Sequence, residues 1–152
     1  MKEHIIDINA DVGEGIGNES ELFPMISSCN IACGGHAGDK QSMLSTVRLA
    51  KKNNIKIGAH PSFPDKINFG RKILTINRKS LFKSLKNQIE SLQNILNQEN
   101  IKLNHIKPHG ALYNLAANDR KTAKIIIDLV KEINVKLYVP YNSLIAKIAK
   151  KQ

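Results

Sequence analysis

Much is scarce in this chain of 152 residues: it has no tryptophan, and aromatics make up only 5%. No basic stretch is interleaved with aromatics, so the stacking platform that single-stranded nucleic acid requires is missing. No window of about 18 apolar residues occurs, which argues against a transmembrane helix. The opening run, Met1-Lys2-Glu3-His4-Ile5-Ile6-Asp7, is too short in apolar residues for a secretory signal. A cytoplasmic protein with neither membrane nor nucleic acid as partner is expected. Cysteine occurs only at Cys29 and Cys33. That C-x3-C spacing without a second pair is neither a zinc ribbon nor a redox C-x-x-C. Both thiols are expected to be reduced and buried; the alternative is a nucleophilic Cys33, close to His36.

Nucleotide signatures are missing too. In Gly34-Gly35-His36-Ala37-Gly38-Asp39-Lys40-Gln41-Ser42 the glycine spacing is wrong for a phosphate loop, and Asp39 stands before the lysine. Asp39 reads first as a helix N-cap, where it would repel an anion. Gly13-Glu14-Gly15-Ile16-Gly17 is not a dinucleotide fingerprint either.

Acidic residues are few in the second part of the chain. Residues 1–50 carry three Lys/Arg and seven Asp/Glu, net −4, whereas residues 51–152 carry twenty and six, net +14. The lysines are scattered through helical segments and read as solvated helix faces rather than a binding patch.

Strand and helix signals alternate. Strands are expected at His4–Asn9, Cys29–Cys33, Ile55–Ala59, Lys102–Ile106 and Val135–Val139. Helices are expected at Ser20–Ser27, from the Asp39 cap to Asn53, at Arg78–Asn97 and Asp119–Ile133, and from Asn142 or Ser143 onward. Alternation implies parallel pairing with right-handed crossovers, as in a doubly wound sheet or a (β/α) barrel. Both folds place their sites at the carboxyl ends of the strands.

The unusual polar residues fall at those ends. They are Asp7-Ile8-Asn9-Ala10-Asp11-Val12-Gly13-Glu14-Gly15, Gly34-Gly35-His36, His60-Pro61-Ser62, Lys107-Pro108-His109-Gly110 and Pro140-Tyr141-Asn142. His36, His60 and His109 should therefore meet on one rim. Asp7 and Asn9 share a strand face, and a carboxylate there needs a cation, a metal or a substrate donor. Arg71 and Lys107 are the candidate cations. Glu14 reads equally as a solvated loop carboxylate. A metal held by His36, His60, His109 and Asp7 or Asp11 suits zinc, manganese or iron in ligand type. No compact H-x3-H or H-E-x-x-H motif accompanies them, so no metal ligands are assigned.

Five motifs in order over residues 5–114 resemble the LamB/YcsF family. They are Asp7 to Gly15; Ser28-Cys29-Asn30-Ile31-Ala32-Cys33-Gly34-Gly35-His36-Ala37-Gly38-Asp39; Ile57-Gly58-Ala59-His60-Pro61-Ser62; Phe69-Gly70-Arg71; and His105-Ile106-Lys107-Pro108-His109-Gly110-Ala111-Leu112-Tyr113-Asn114. The resemblance implies an α/β fold, a (β/α)7 TIM-like barrel of the glycoside hydrolase/deacetylase superfamily type. It implies one component of an ATP-dependent 5-oxoprolinase, which with two other subunits opens 5-oxo-L-proline to L-glutamate using ATP with Mg2+. Asp11, Glu14, His36, His60, Lys107 and His109 are the implied catalytic residues. Asp7, Asn9, Asn30, Arg71, Tyr113 and Asn114 are the implied substrate-binding residues. Lys107 would meet a phosphate or oxyanion, Arg71 the substrate carboxylate, and the histidines would act as acid and base.

Family members are longer, and their later Glu…Phe-Ala-Asp-Arg stretch has no counterpart here. Residues 1–152 are therefore expected to form a single, incomplete barrel domain lacking its C-terminal strands. The alternatives are a truncated non-catalytic or split-gene remnant, and a metal-dependent deacetylase-like hydrolase.

Overall fold

A computed structural model describes residues 6–151. It is an α/β fold around a five-stranded, wholly parallel sheet in the order β1-β2-β3-β4-β5. The strands are β1 (Asn9–Val12), β2 (Ser28–Ala32), β3 (Lys56–His60), β4 (His105–Ile106) and β5 (Lys136–Leu137). The helices are α1 (Glu19–Leu22), α2 (Lys40–Lys52), α3 (Arg78–Gln98), α4 (Gly110–Ala116), α5 (Arg120–Ile133) and α6 (Leu144–Ala149).

Local chemistry explains the boundaries. Asp39 caps α2 in a reciprocal box: its carboxylate accepts from the Ser42 amide at 2.8 Å, and the Ser42 hydroxyl accepts from the Asp39 amide at 2.8 Å. Asn77, Asp119 and Ser143 cap α3, α5 and α6 in the same way from one side. The helix expected at Ser20–Ser27 divides instead into α1 and a 3-10 turn at Phe23–Met25, because Pro24 has no amide hydrogen to continue an α-helix. Helix α4 has no counterpart among the expected elements.

The first strand is displaced. Positions 4–5 of the expected span lie outside the described residues, and pairing starts only at Asn9. The partner strand explains this, since β2 begins at Ser28, in register with Asn9. Ile6 and Ile8 accordingly stand exposed, at 77% and 55%. The expected fourth strand shortens to its last two residues, His105–Ile106, and the fifth to Lys136–Leu137.

The sheet has two unlike faces. Cys29, Ile31, Ile57, Ala59 and Ile106 are all buried in the apolar core, with α2, α3 and α5 packed side by side. Leu85, Ile89, Leu92 and Leu96 of α3 are almost wholly buried, each contributing about 1.5–3 kcal/mol. The opposite face is polar: Asp11, Asn30, Gly58 and His105 stand in register across four strands. This face is concave. Two residues beside the outermost strands, Asp7 and Tyr138, are joined by a 2.7 Å hydrogen bond. In a flat sheet four strand spacings would hold those edges about 19 Å apart. No described helix is long and apolar enough to cross a membrane.

Candidate active site

The site lies where β1, β2, β3 and β4 end. Asp11 is the penultimate residue of β1, Glu14 follows the strand, His36 follows β2, His60 closes β3, and Lys107 and His109 follow β4. All six converge. Lys107 Nζ donates to both Asp11 oxygens, at 2.9 and 3.2 Å. His60 Nε2 is 3.4 Å from Asp11 Oδ2. Glu14 Oε1 lies 2.8 Å from His36 Nε2, 3.5 Å from His109 Nδ1 and 3.7 Å from His60 Nε2. His36 and His109 stack face to face at 3.6 Å, and His60 meets both edge-on.

Backbone carbonyls set the tautomers. His60 Nδ1 donates to the Lys107 carbonyl at 2.7 Å, and His109 Nε2 donates to the Phe69 carbonyl at 2.9 Å. Each ring in its neutral form therefore turns an unprotonated nitrogen toward Glu14. Phe69 holds its carbonyl in place through a left-handed backbone, φ 54°, an unusual conformation for a bulky residue. A Cβ on the following Gly70 would meet His36 at 2.9 Å and His109 at 3.0 Å. Buried Gln88 of α3 clamps the loop after His60, donating to the Ser62 carbonyl and accepting from its amide.

Charge states follow from these contacts. Burial works to raise the Asp11 and Glu14 pKa values, yet both are lowered: His60 and Lys107 outweigh burial at Asp11, and the three histidines do so at Glu14. Burial brings the His109 pKa down to about 4, so its ring is neutral at physiological pH. Burial also pushes both cysteine thiols up to about 12. Both are free, as expected, and Cys33 is a buried, un-ionised thiol rather than a nucleophile.

A second polar network fills the concave face below. Asn30 Nδ2 donates to Asp11 Oδ1 at 2.7 Å and to Asn9 Oδ1 at 2.5 Å, and His105 Nε2 donates to Asn30 Oδ1 at 2.6 Å. The Ser28 and Tyr138 hydroxyls both donate to Asp7. His105 stacks on Tyr138 at 4.0 Å. Asp7, Asn9 and Asn30 thus adjoin the rim through Asp11. Asp7 itself has hydroxyl partners, not Arg71 or Lys107.

Of the remaining expected residues, Tyr113 lies on α4, its hydroxyl pKa raised by burial and by the Asp11 charge. Arg71 is exposed, its guanidinium 5.3 Å above the Phe69 ring, and Phe69 packs edge-on against His36 and His109. Asn114 is exposed on α4, and its side chain makes no hydrogen bond among the described residues. His105, Ser28, Tyr138 and Phe69 join the two networks without having been expected there. Alternation did carry a signal for His105: it sits two residues before Lys107, on the same strand face.

The fold is shared with a known protein structure. The chain belongs to the LamB/YcsF family, whose model matches residues 6–152. It is 44% identical over 149 residues to a Haemophilus influenzae protein named as the A subunit of 5-oxoprolinase, covering 97% of this chain and 61% of that one. A Bacillus cytotoxicus protein of the same name is 44% identical over 139 residues, 88% of this chain and 55% of that protein. The crystal structure of a lactam utilization protein from Thermus thermophilus superposes with a TM-score of 0.94 at 39% identity, covering 97% of this chain and 63% of the other. The chain thus spans about three fifths of the length of these relatives.

Proposed function

We propose that this chain supplies the strand-end site of the A subunit of a 5-oxoprolinase. With two partner subunits it would convert 5-oxo-L-proline, ATP and water to L-glutamate, ADP and phosphate in the cytoplasm. The observation that carries the reading is the meeting of Asp11, Glu14, His36, His60, Lys107 and His109 on one rim, drawn from four of the segments that define the family likeness.

A lactam carbonyl is a poor electrophile because the ring nitrogen delocalises its lone pair into it. ATP, with Mg2+, supplies the activation when bound. The residues of this chain do the rest. Lys107, oriented by Asp11, faces the oxygen on which negative charge develops. His109, neutral and with Nδ1 free of its own proton, takes a proton from water in concert with Glu14. Arg71, steadied on Phe69, receives the substrate carboxylate.

The same reading makes the curled sheet five strands of a (β/α)7 barrel, and residues 1–152 one incomplete domain. Two observations support it: the sheet's curvature, and an apolar groove of about 400 Å³ beside β5, lined by Ile127, Val130, Leu137, Val139 and Ala149. Further strand–helix units of the longer family members fit such a groove.

Purified assembly is the test. Glutamate and ADP formation from 5-oxoproline should require this chain, and Lys107→Met should slow glutamate formation by about 10²–10³-fold, as loss of an oxyanion partner does. Glutamate formation by the partner subunits alone, at the rate of the full assembly, would contradict the assignment.

A further inference from the structure

We propose that Glu14, His36, His60 and His109 form a binding site for a divalent transition-metal ion. One ligand atom from each residue lies within 4.8 Å of the others. Ideal zinc–nitrogen and zinc–oxygen bonds of about 2.0–2.2 Å in a tetrahedron place ligand atoms about 3.3–3.6 Å apart. The contacts observed here straddle that spacing, at 2.8, 3.0, 3.5 and 3.7 Å.

The positions of the ring protons point to a cation. His60 commits its Nδ1 hydrogen to the Lys107 carbonyl, and His109 commits its Nε2 hydrogen to the Phe69 carbonyl. A carbonyl only accepts, so those protons cannot be elsewhere in the neutral rings. With both rings neutral, His60 Nε2 and His109 Nδ1 face each other at 3.0 Å with no hydrogen between them. Two lone pairs at that distance repel, and the Glu14 carboxylate adds a third acceptor on the same side. A cation at the centre turns all three from repulsive to attractive.

His36 completes the set. Its Nε2 is turned to Glu14, and its Nδ1 is a buried atom without a hydrogen-bond partner. A buried imidazole in that condition has no hydrogen-bonding use for its second nitrogen and keeps Nε2 aimed at the shared centre. The arrangement also has the outer contacts that metal-binding histidines need, since carbonyls fix the orientation of two of the three rings. Local charge agrees: Asp11 and Glu14 bring two negative charges against the one positive charge of Lys107. The ligand types, imidazole with one carboxylate, suit zinc, cobalt, manganese or iron rather than magnesium or calcium. A metal held there would engage the His109 Nδ1 lone pair and the Glu14 carboxylate and would itself acidify a bound water, so that in the metal-bound site water activation passes from His109 to the ion. This assignment stands on the geometry of the four residues and holds whatever the substrate of the site.

The experiment uses the full chain, stripped with a chelator and titrated with Co2+ and then Zn2+. Expected are stoichiometric uptake, visible cobalt ligand-field absorption of a low-coordinate nitrogen–oxygen site, displacement of cobalt by zinc, and a higher melting temperature with either ion. Glu14→Gln preserves the side-chain volume and its contact with His36. It should weaken cobalt binding at least about tenfold, by the usual effect of altering a metal shell. His60→Asn should do the same, and circular dichroism melts establish that each variant is folded. Asp119→Ala, which alters a helix cap away from the cluster, should leave cobalt binding as it was. No uptake by the parent chain, uptake equally strong in both folded cluster variants, or thiolate-to-cobalt charge-transfer bands from Cys29 or Cys33 would each overturn the proposal.

Discussion

Gly58 has no room for a side chain. It stands between Asn30 and His105 in register on the concave face, and a Cβ there would fall on the His105 ring. The missing side chain is what lets His105 reach over β3 to Asn30, and through Asn30 it supports Asp11. Gly58→Ala should therefore destabilise the protein by about 2–4 kcal/mol, through steric displacement and an unpaired buried amide. Urea unfolding would measure it; a change below about 0.5 kcal/mol, the ordinary effect of a surface substitution, would contradict the crossing. His105 itself supplies a pH dependence. Burial holds its pKa at about 4 in the folded protein against 6.5 for the free side chain. The unfolded chain thus binds the extra proton between those values, and stability is intact above about pH 6.5 and falls as pH drops toward 4. A shift of that size corresponds to about 3 kcal/mol unscreened, and nearby water reduces it to about 1–2 kcal/mol. Thermal melts across that range should show the loss, and His105→Gln should reduce it, leaving the share of His109, whose pKa burial also lowers to about 4. An unchanged slope in the variant would place the proton uptake elsewhere.

Elements were legible where their signals are local and obscure where they depend on a partner. Asp39, Asp119 and Ser143 mark their helices by a side-chain oxygen and a following amide, a chemistry confined to four residues. Asp119→Ala should accordingly cost about 1 kcal/mol, read from a denaturation midpoint, and leave the site's metal and substrate behaviour unchanged. A loss above about 3 kcal/mol would show that the residue does more than cap. Ile6 and Ile8 have an equally strong strand pattern, but β2 begins only at Ser28, in register with Asn9, and the paired strand starts there. Helix α4 was hidden because a stretch of seven residues after a glycine-containing turn leaves too little periodicity to read. Likewise the rim's histidines and Lys107 were visible at their strand ends. That Glu14, rather than Asp7 or Asp11, is the carboxylate sharing an oxygen with all three histidines depends on how the loop after β1 folds back.

At the scale of the whole molecule, the polar concave face and the apolar groove beside β5 belong to one design, a sheet that curls around its own chemistry. If longer relatives continue the curl, co-expression with the C-terminal part of the Haemophilus influenzae relative should raise this chain's melting temperature and protect β5 amides from hydrogen exchange; unchanged exchange would argue against that docking. The central claim is that residues distant in sequence act together on one rim. Its most direct measurement is the rate of ATP-dependent glutamate formation by the complete assembly carrying His109→Asn. The expected result is a fall of about 10²–10⁴-fold with the fold intact, the usual worth of a general acid–base group. A rate within about twofold of the unaltered assembly would contradict the claim, since that is far below such a group's contribution.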